Sequence, residues 1–141
     1  MKKKRIRPIA ICLFRHQVNI LVHQGFDPVK QEYFYRPLGG GVDFGETSHD
    51  AVIREIREEL GAAICNVSLV GILESVFTFQ AELGHEIVFV YDGEFVDRSL
   101  YDQPRIQAIE GNQTFEAEWR SLSDLRQGPG ILVPEPLWTL L

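Results

Sequence analysis

The stretch of sequence that decides the fold is Gly40-Gly41-Val42-Asp43-Phe44-Gly45-Glu46, followed by Arg54-Glu55-Ile56-Arg57-Glu58-Glu59-Leu60-Gly61-Ala62. Its second half carries Glu55, Glu58 and Glu59 at the i, i+3 and i+4 spacings that place side chains on one face of a helix. Like charges at these spacings repel by roughly 0.2–0.5 kcal/mol per pair. A bound cation would relieve that repulsion, and carboxylate oxygens suit Mg²⁺ or Mn²⁺. The pattern therefore predicts a helix that presents a divalent-metal site.

The limits of this helix are marked in the sequence. Thr47 can cap its start, with Asp50 three residues further on, and Gly61 stands where a left-handed residue usually closes a helix. An apolar stripe next to the acids predicts the face that is buried, and it consists of Val52, Ile53, Ile56 and Leu60. The alternative is an ordinary amphipathic helix whose acids are solvated.

The glycines before the helix weigh against that alternative. Leu38-Gly39-Gly40-Gly41 is costly to order, because glycine loses more backbone freedom on folding than any other residue. Such a run indicates a backbone that passes close to another group, such as an ion or a phosphate. A flexible hairpin loop would explain the glycines alone, but not their position before three clustered carboxylates.

The whole stretch resembles the Nudix box, G-x5-E-x7-R-E-U-x-E-E-x-G-U, where U is a bulky aliphatic residue. The matching positions are Gly40, Glu46, Arg54, Glu55, Ile56, Glu58, Glu59 and Gly61. Ala62 departs from the pattern, at a position that serves packing. The resemblance implies an α/β fold, a Nudix-type α/β/α sandwich with a mixed, mostly antiparallel β-sheet. It also implies a hydrolase that acts on phosphoric anhydride bonds.

The resemblance assigns roles to individual residues. It implies that Mg²⁺, or Mn²⁺ in its place, is bound by the three box acids and by a backbone carbonyl of the glycine loop. These ligands are Glu55, Glu58, Glu59 and Gly39 or Gly40. Glu46 and Arg54 are expected to form an ion pair that orients the carboxylates, although an ordinary surface salt bridge would have similar geometry.

The base that activates water is left open between two kinds of glutamate. In the family it is a box acid, here Glu58, or a glutamate from the loop before the last strand, here Glu110. Glu116 and Glu118 are neighbouring candidates, and Glu86 is a more distant one. Each of these could equally be a plain surface acid.

Substrate contacts are predicted from the aromatic strand just before the glycine loop. Phe34 and Tyr35 could stack on a base and Arg36 could meet a phosphate, although such a strand is normally half core and half surface. Phe77 stands where subgroups of the family carry substrate markers, and the Ser-Gln-Pro-Trp-Pro-Phe-Pro array of NADH pyrophosphatases is absent. This elimination favours conversion of a (deoxy)nucleoside triphosphate to monophosphate and pyrophosphate. The alternatives are a nucleotide-sugar or dinucleotide pyrophosphatase and a non-catalytic nucleotide sensor.

Composition sets the expected partners and location. A chain of 141 residues with 45% hydrophobic and 24% charged residues is typical of a single globular domain, here 1–141 with a basic tail at 1–7. The net charge is −6, and the body beyond the tail is more acidic still, which disfavours long nucleic acid and anionic membranes. We expect a small nucleotide substrate, a cytoplasmic location and two cysteines packed as small hydrophobes. The family resemblance also suggests a homodimer.

The remaining elements follow from hydrophobic alternation and turn signals. Strands are predicted at 8–14, 18–24, 32–36, 64–80, 85–97 and 115–120. Pro37 is expected to stop the third strand, residues 82–85 to form a hairpin turn, and residues 98–113 to form a long loop. Short helices are expected to begin at Ser121 and to close the chain after Gly128.

Overall fold

The computed structural model describes residues 4–141. Within that part of the chain, nine strands follow one another as β1 Arg7–Leu13, β2 Arg15–His16, β3 Asn19–Asp27, β4 Glu32–Gly41, β5 Ile64–Phe79, β6 Glu82–Phe95, β7 Arg105–Glu110, β8 Gln113–Ser121 and β9 Ile131–Leu132. The helical elements are α1 Ser48–Leu60, α2 Leu122–Gln127 and two 3-10 helices, Arg98–Asp102 and Glu135–Leu140. Residues 1–3 of the predicted basic tail lie outside the described part, and Arg7 already belongs to β1.

The strands form one sheet with the order β5-β6-β1-β4-β3-β8-β7, while β2 pairs with β3 and β9 pairs with β4. β1 runs parallel to β6, and β4 runs parallel to β9. The other pairs are antiparallel. The mixed, mostly antiparallel sheet predicted from the sequence is confirmed.

β1 explains how the sheet comes to lie between helical layers. It is an apolar run that is buried on both faces, so its alternate side chains enter two different clusters. Cys12 packs in the cluster that contains Ile56 of α1. Ile11 packs in the cluster that contains Leu125 of α2 and Leu137 of the second 3-10 helix. Helical elements therefore cover both faces, as the predicted α/β/α arrangement requires.

Helix α1 has the ends that its sequence predicted. The Thr47 hydroxyl accepts a hydrogen bond of 3.1 Å from the Asp50 N–H at the start. Gly61 adopts a left-handed φ of 64° at the end, and its N–H donates to the Arg57 carbonyl at 2.9 Å. The helix buries Val52, Ile56 and also Glu59, which lie at the i, i+4 and i+7 positions of one stripe.

The prediction that Pro37 stops a strand is wrong, because β4 continues through it to Gly41. β4 pairs with β3 as far as Pro37, which lies opposite Val22, and pairs with β1 from Leu38, which lies opposite Cys12. The missing N–H of the proline falls where the strand exchanges one partner for the other, so no continuous ladder is interrupted. The extension carries the glycines from the sheet directly to α1.

The predicted loop at 98–113 is also wrong. It contains a 3-10 helix and the strand β7, joined to β8 by a turn in which Gly111 has a φ of 61°. β7 buries only Ile106 and Ala108 between polar residues, so its alternation is too short to distinguish from a loop in the sequence. The β5–β6 turn lies at Gln80 and Ala81, both with positive φ, rather than at the predicted residues 82–85.

The two cysteines differ from one another in burial. Cys12 is buried, and that burial raises the pKa of its thiol, as expected for a small hydrophobe. Cys65 is exposed, so the same expectation is wrong for this residue, which lies on the edge strand β5. Of the helices in residues 4–141, none has the length and apolar character that crossing a membrane requires.

Candidate active site

The glycine loop lies directly against the acids of α1. A Cβ atom added to Gly40 would lie 2.5 Å from the carboxyl carbon of Glu55, a separation that real side chains do not reach. By contrast, a Cβ atom on Gly41 would meet only the Arg7 guanidinium, at 3.8 Å. The close approach that the glycine run predicted is therefore made at Gly40, where backbone and carboxylate are neighbours.

Arg54 connects the loop to the helix. Its Nε and Nη2 donate to the two carboxylate oxygens of Glu46, at 2.7 and 2.9 Å, and Nη2 also donates to the Gly41 carbonyl at 3.0 Å. Its Nη1 donates to Glu55 at 2.9 Å and to Glu58 at 3.3 Å. The hydrogen bonds from Arg54 are the main cause that lowers the pKa of Glu46 to about 2. Arg54 therefore fixes the orientation of Glu55 relative to the loop.

Glu59 is the most unusual side chain of the three acids. It is only 7% exposed, and its Oε1 atom has no hydrogen-bond partner. Burial, followed by the charges of Glu55 and Glu110, raises the pKa of Glu59 to about 8. Burial also raises the pKa of Glu55. A buried carboxylate oxygen without a partner is costly, so this position needs a cation or a proton.

Glu110 lies close enough to the acidic face, defined as Glu55, Glu58 and Glu59, for its charge to act there. It raises the pKa of both Glu55 and Glu59, although it lies far from them in the sequence. The other proposed bases are paired elsewhere. Glu116 contacts Arg105 at 3.3 Å, and Glu118 contacts Arg120 at 3.2 Å.

The acidic face fits a divalent cation in its donor chemistry. All its side-chain donors are carboxylate oxygens, one of them is buried without a partner, and Gly40 keeps the adjacent backbone within reach. Within residues 4–141, however, no three His, Cys, Asp or Glu side chains already converge as a finished metal site. Glu58 is 60% exposed and instead contacts Arg54.

A cavity of about 710 Å³ opens beside β4 and β5. Three of the predicted substrate residues line it: Phe34, Arg36 and Phe77. The Phe34 ring meets the Phe79 ring edge to face at 5.6 Å. Tyr35, the fourth predicted residue, does not line the cavity, because it points to the opposite side of β4 and packs in the cluster with Ile11. The alternation of the strand therefore divides the predicted aromatic pair between core and cavity.

Sequence reasoning did not anticipate how these rings are held. A Cβ atom on Gly84 would lie 2.5 Å from the Phe77 ring, so that ring lies directly against Gly84 of β6. The Phe34 ring covers Gly25 in the same way. Only the period of two that puts Phe77 and Phe79 on one face of β5 was visible in the sequence.

Arg36 joins the cavity to the acidic face. Its Nη2 atom donates to Glu86 at 3.3 Å, and its positive charge partly offsets the rise in the pKa of Glu59 that burial and the charges of Glu55 and Glu110 cause. Glu86 is 5% exposed and also lies 3.9 Å from the Arg7 guanidinium, so the structure places this proposed base in an ion-pair network. Burial and then the charge of Arg36 lower the pKa of His23 to about 4.

Known proteins resemble this chain in sequence and in fold. It is 33% identical over 91 residues to the NAD-capped RNA hydrolase NudC of Pseudomonas aeruginosa (strain LESB58). The matched segment covers 64% of this chain and 28% of that protein. It is 36% identical over 92 residues to the uncharacterized Nudix hydrolase YvcI of Bacillus subtilis (strain 168), covering 64% of the chain and 53% of that protein. The chain thus spans about half or less of these relatives.

Solved structures show the same fold at lower identity. The crystal structure of a MutT NUDIX hydrolase from Burkholderia pseudomallei superposes with a TM-score of 0.68 and 23% identity, covering 97% of both chains. A UDP-X diphosphatase gives a TM-score of 0.64 and 14% identity, covering 99% of this chain and 63% of that one.

The family assignment rests on nearly the whole length of the chain. The model of the NUDIX domain matches residues 4–137, which include the box, the cavity strands and both helical layers. The glycine loop against Glu55 and the acidic face on α1 are the structural counterparts of the sequence pattern. The chain therefore belongs to the Nudix family of hydrolases, whose enzymes act on pyrophosphate bonds.

Proposed function

We propose that this protein is a divalent-metal-dependent pyrophosphohydrolase, acting on nucleoside diphosphates linked to another group. Our first candidate reaction converts a (deoxy)nucleoside triphosphate to the monophosphate and pyrophosphate. The observation that carries the proposal is the buried, unpartnered Oε1 of Glu59 beside a backbone held close to Glu55. A bound cation would satisfy this carboxylate oxygen, which without one has to be protonated to remain buried.

The residues of the site have two proposed roles: some would hold the cation, and others orient those ligands. A bound Mg²⁺ or Mn²⁺ would neutralise phosphate charge and lower the pKa of a bound water. Glu55, Glu59 and the loop carbonyl at Gly39 or Gly40 would hold it, with Glu58 joining them after leaving Arg54. Arg54, fixed by Glu46, keeps Glu55 in place.

The chemical step is the attack of water on one phosphorus, with rupture of the bridging P–O bond. Glu110 or Glu58 would accept the proton of the attacking water. Glu110 is favoured because its charge reaches Glu55 and Glu59 while Glu116 and Glu118 are paired with arginines. Arg36 would bind a phosphate, and Phe34 and Phe77 would pack against the base in the cavity.

A second candidate is a substrate with two nucleoside ends. The relative named NAD-capped RNA hydrolase is 33% identical to this chain, and the cavity of about 710 Å³ has room for more than a single base. This candidate covers NAD⁺ and an NAD-capped RNA end, whereas the acidic body of the chain disfavours extended contact with RNA.

The test is product analysis against a panel: the common nucleoside triphosphates, ADP-ribose, UDP-glucose, NAD⁺ and a short NAD-capped RNA. Each is incubated with Mg²⁺ and with Mn²⁺, comparing the wild type with Glu59→Gln. We expect metal-dependent turnover of at least one compound, reduced by about 100-fold or more in Glu59→Gln, since even residues that only support metal ligands cost 10–100-fold.

Asp50→Asn is the matched control, because Asp50 lies on the same helix with a 71% exposed side chain. It should leave turnover within about twofold. Equal loss in both variants would indicate a general effect of charge on α1. Tight nucleotide binding without turnover of any compound would replace the hydrolase by a nucleotide sensor.

A further inference from the structure

Glu86 is a buried carboxylate that contacts two guanidinium groups. It is 5% exposed, its Oε1 accepts a hydrogen bond of 3.3 Å from Arg36, and its Oε2 lies 3.9 Å from Arg7. Burying a charge is unfavourable unless it is paired. The burial of Glu86 therefore requires Arg36, and the pair restricts the positions that the Arg36 side chain can take.

Arg36 has donors left for a ligand. Its side chain is 29% exposed, and in the described part of the chain it donates a hydrogen bond only to Glu86. A guanidinium carries five N–H donors in a rigid plane, which suits phosphate oxygens. Arg36 also lines the cavity, and its partner Glu86 lies 3.9 Å from the guanidinium of Arg7, which lies beside Gly41 of the glycine loop. Arg36 therefore stands where the phosphate chain of a substrate would pass from cavity to acidic face.

We propose that Glu86 is a positioning residue, which holds Arg36 at the boundary between cavity and acidic face so that its guanidinium meets a substrate phosphate. This inference rests on the proposed function for the identity of the ligand as a nucleotide. A long arginine side chain in open solvent would lose rotamer entropy on binding, whereas one already held by a buried carboxylate loses less. Arg7 contributes little, because its side chain is 56% exposed and lies at 3.9 Å.

The test is the binding of ADP, measured by isothermal titration calorimetry in EDTA so that no metal contributes. We expect Glu86→Ala to weaken ADP binding about tenfold, the scale of one charge-assisted hydrogen bond. Arg36→Ala should weaken it by a similar factor. The double variant should bind no more weakly than Arg36→Ala, because Glu86 acts only through Arg36.

Glu86→Gln, which keeps an acceptor oxygen for Arg36, should recover most of the affinity and covers the case that Glu86→Ala folds poorly. Arg7→Ala should stay within about twofold of the wild type. Thermal unfolding of every variant separates loss of binding from loss of fold. With any substrate that is turned over, Glu86→Ala should raise KM and leave kcat nearly unchanged.

Three results would overturn the inference. Removing Glu86 also removes a negative charge near the phosphate, so wild-type or tighter ADP binding by Glu86→Ala shows that charge, not position, matters. If Glu86→Ala weakens ADP binding in the Arg36→Ala variant as much as it does in the wild type, Glu86 acts through another residue. Wild-type protein that fails to bind ADP also overturns it. The proposed function fails separately, when no compound of the panel is hydrolysed.

Discussion

The acidic face comes from one continuous helix, preceded by its glycine loop, whereas the cavity draws its lining from four separate segments. These segments are 27–36, 74–79, Glu86 and 131–136. In the first region the spacing of residues along a helix is enough to bring the carboxylates together. In the second, strands distant in sequence must pair before any lining exists. The carboxylates of the proposed metal site are thus brought together by local structure, and the lining of the proposed substrate cavity is not.

Gly40→Ala is the substitution expected to have the largest effect on this comparison. The new Cβ would lie 2.5 Å from the Glu55 carboxyl carbon and would displace it from the loop. We expect turnover to fall by about 100-fold or more, since a displacement of even 1 Å can cost that much. The control is Gly41→Ala, whose Cβ meets only the tip of Arg7 at 3.8 Å. Similar losses in both would contradict a specific contact at Gly40.

Arg54→Lys tests whether the box depends on a planar, bidentate donor. A lysine ammonium cannot reproduce the paired hydrogen bonds to Glu46 together with those to Gly41 and Glu55. We expect kcat to fall by about 10–100-fold, the range for residues that orient metal ligands. The same exchange at Arg57, in the last turn of α1, is the control. An unchanged kcat in Arg54→Lys would show that the Glu46–Arg54 pair is an ordinary surface salt bridge that does not orient the carboxylates.

Phe77→Ala addresses the cavity rather than the box. Loss of the ring that lies against Gly84 should raise KM by about tenfold, because stacking on a base is worth ~1–3 kcal/mol, while kcat changes little. Leu83→Ala, an exposed apolar residue on the neighbouring strand, is the control. A fall in kcat with constant KM would mean that cavity and acidic face are not separable.

His23 gives the smallest effect, a slope of stability with pH. Its pKa is lowered from 6.5 to about 4 in the folded protein, so the unfolded chain binds more protons between these values. The free energy of unfolding should therefore have its full value above pH 6.5, where His23 is neutral in both states. It should fall by about 1–2 kcal/mol as the pH decreases to 4. Urea unfolding across this range checks it: His23→Gln should flatten the slope, whereas His49→Gln, at an exposed position, should not. An unaltered slope in His23→Gln would assign the acid sensitivity to other groups.

The strength of a sequence pattern explains which elements were predictable. The caps at Thr47 and Gly61, the apolar stripe and the paired strands β5 and β6 were all predicted, because each is fixed by neighbours in the chain. β7 was missed because two buried positions in six residues do not establish a period. The prediction that the strand ends at Pro37 was wrong, because whether a strand tolerates a proline depends on which strands pair with it at that point.

The functional residues divide in the same way. Glu46, Arg54 and Glu55 were grouped through the resemblance to the Nudix box, and the structure brings them into contact. The sequence placed Glu59 on the acidic face, and only the structure showed that it is buried beside Val52 and Ile56 with an unpartnered oxygen. Tyr35 and Phe34 were indistinguishable as aromatic neighbours until the strand was assigned its two faces.

By itself the sequence determined the helix with its three carboxylates, because side-chain spacing and capping act over a few residues. Its resemblance to the Nudix box also indicated the family and, through the family, the mostly antiparallel character of the sheet. Only the tertiary structure decided that Glu110 approaches Glu55, that Phe77 lies on Gly84, and that Glu86 pairs with Arg36. Those contacts join residues far apart in the chain, and their formation depends on strand pairing and burial that no local pattern contains.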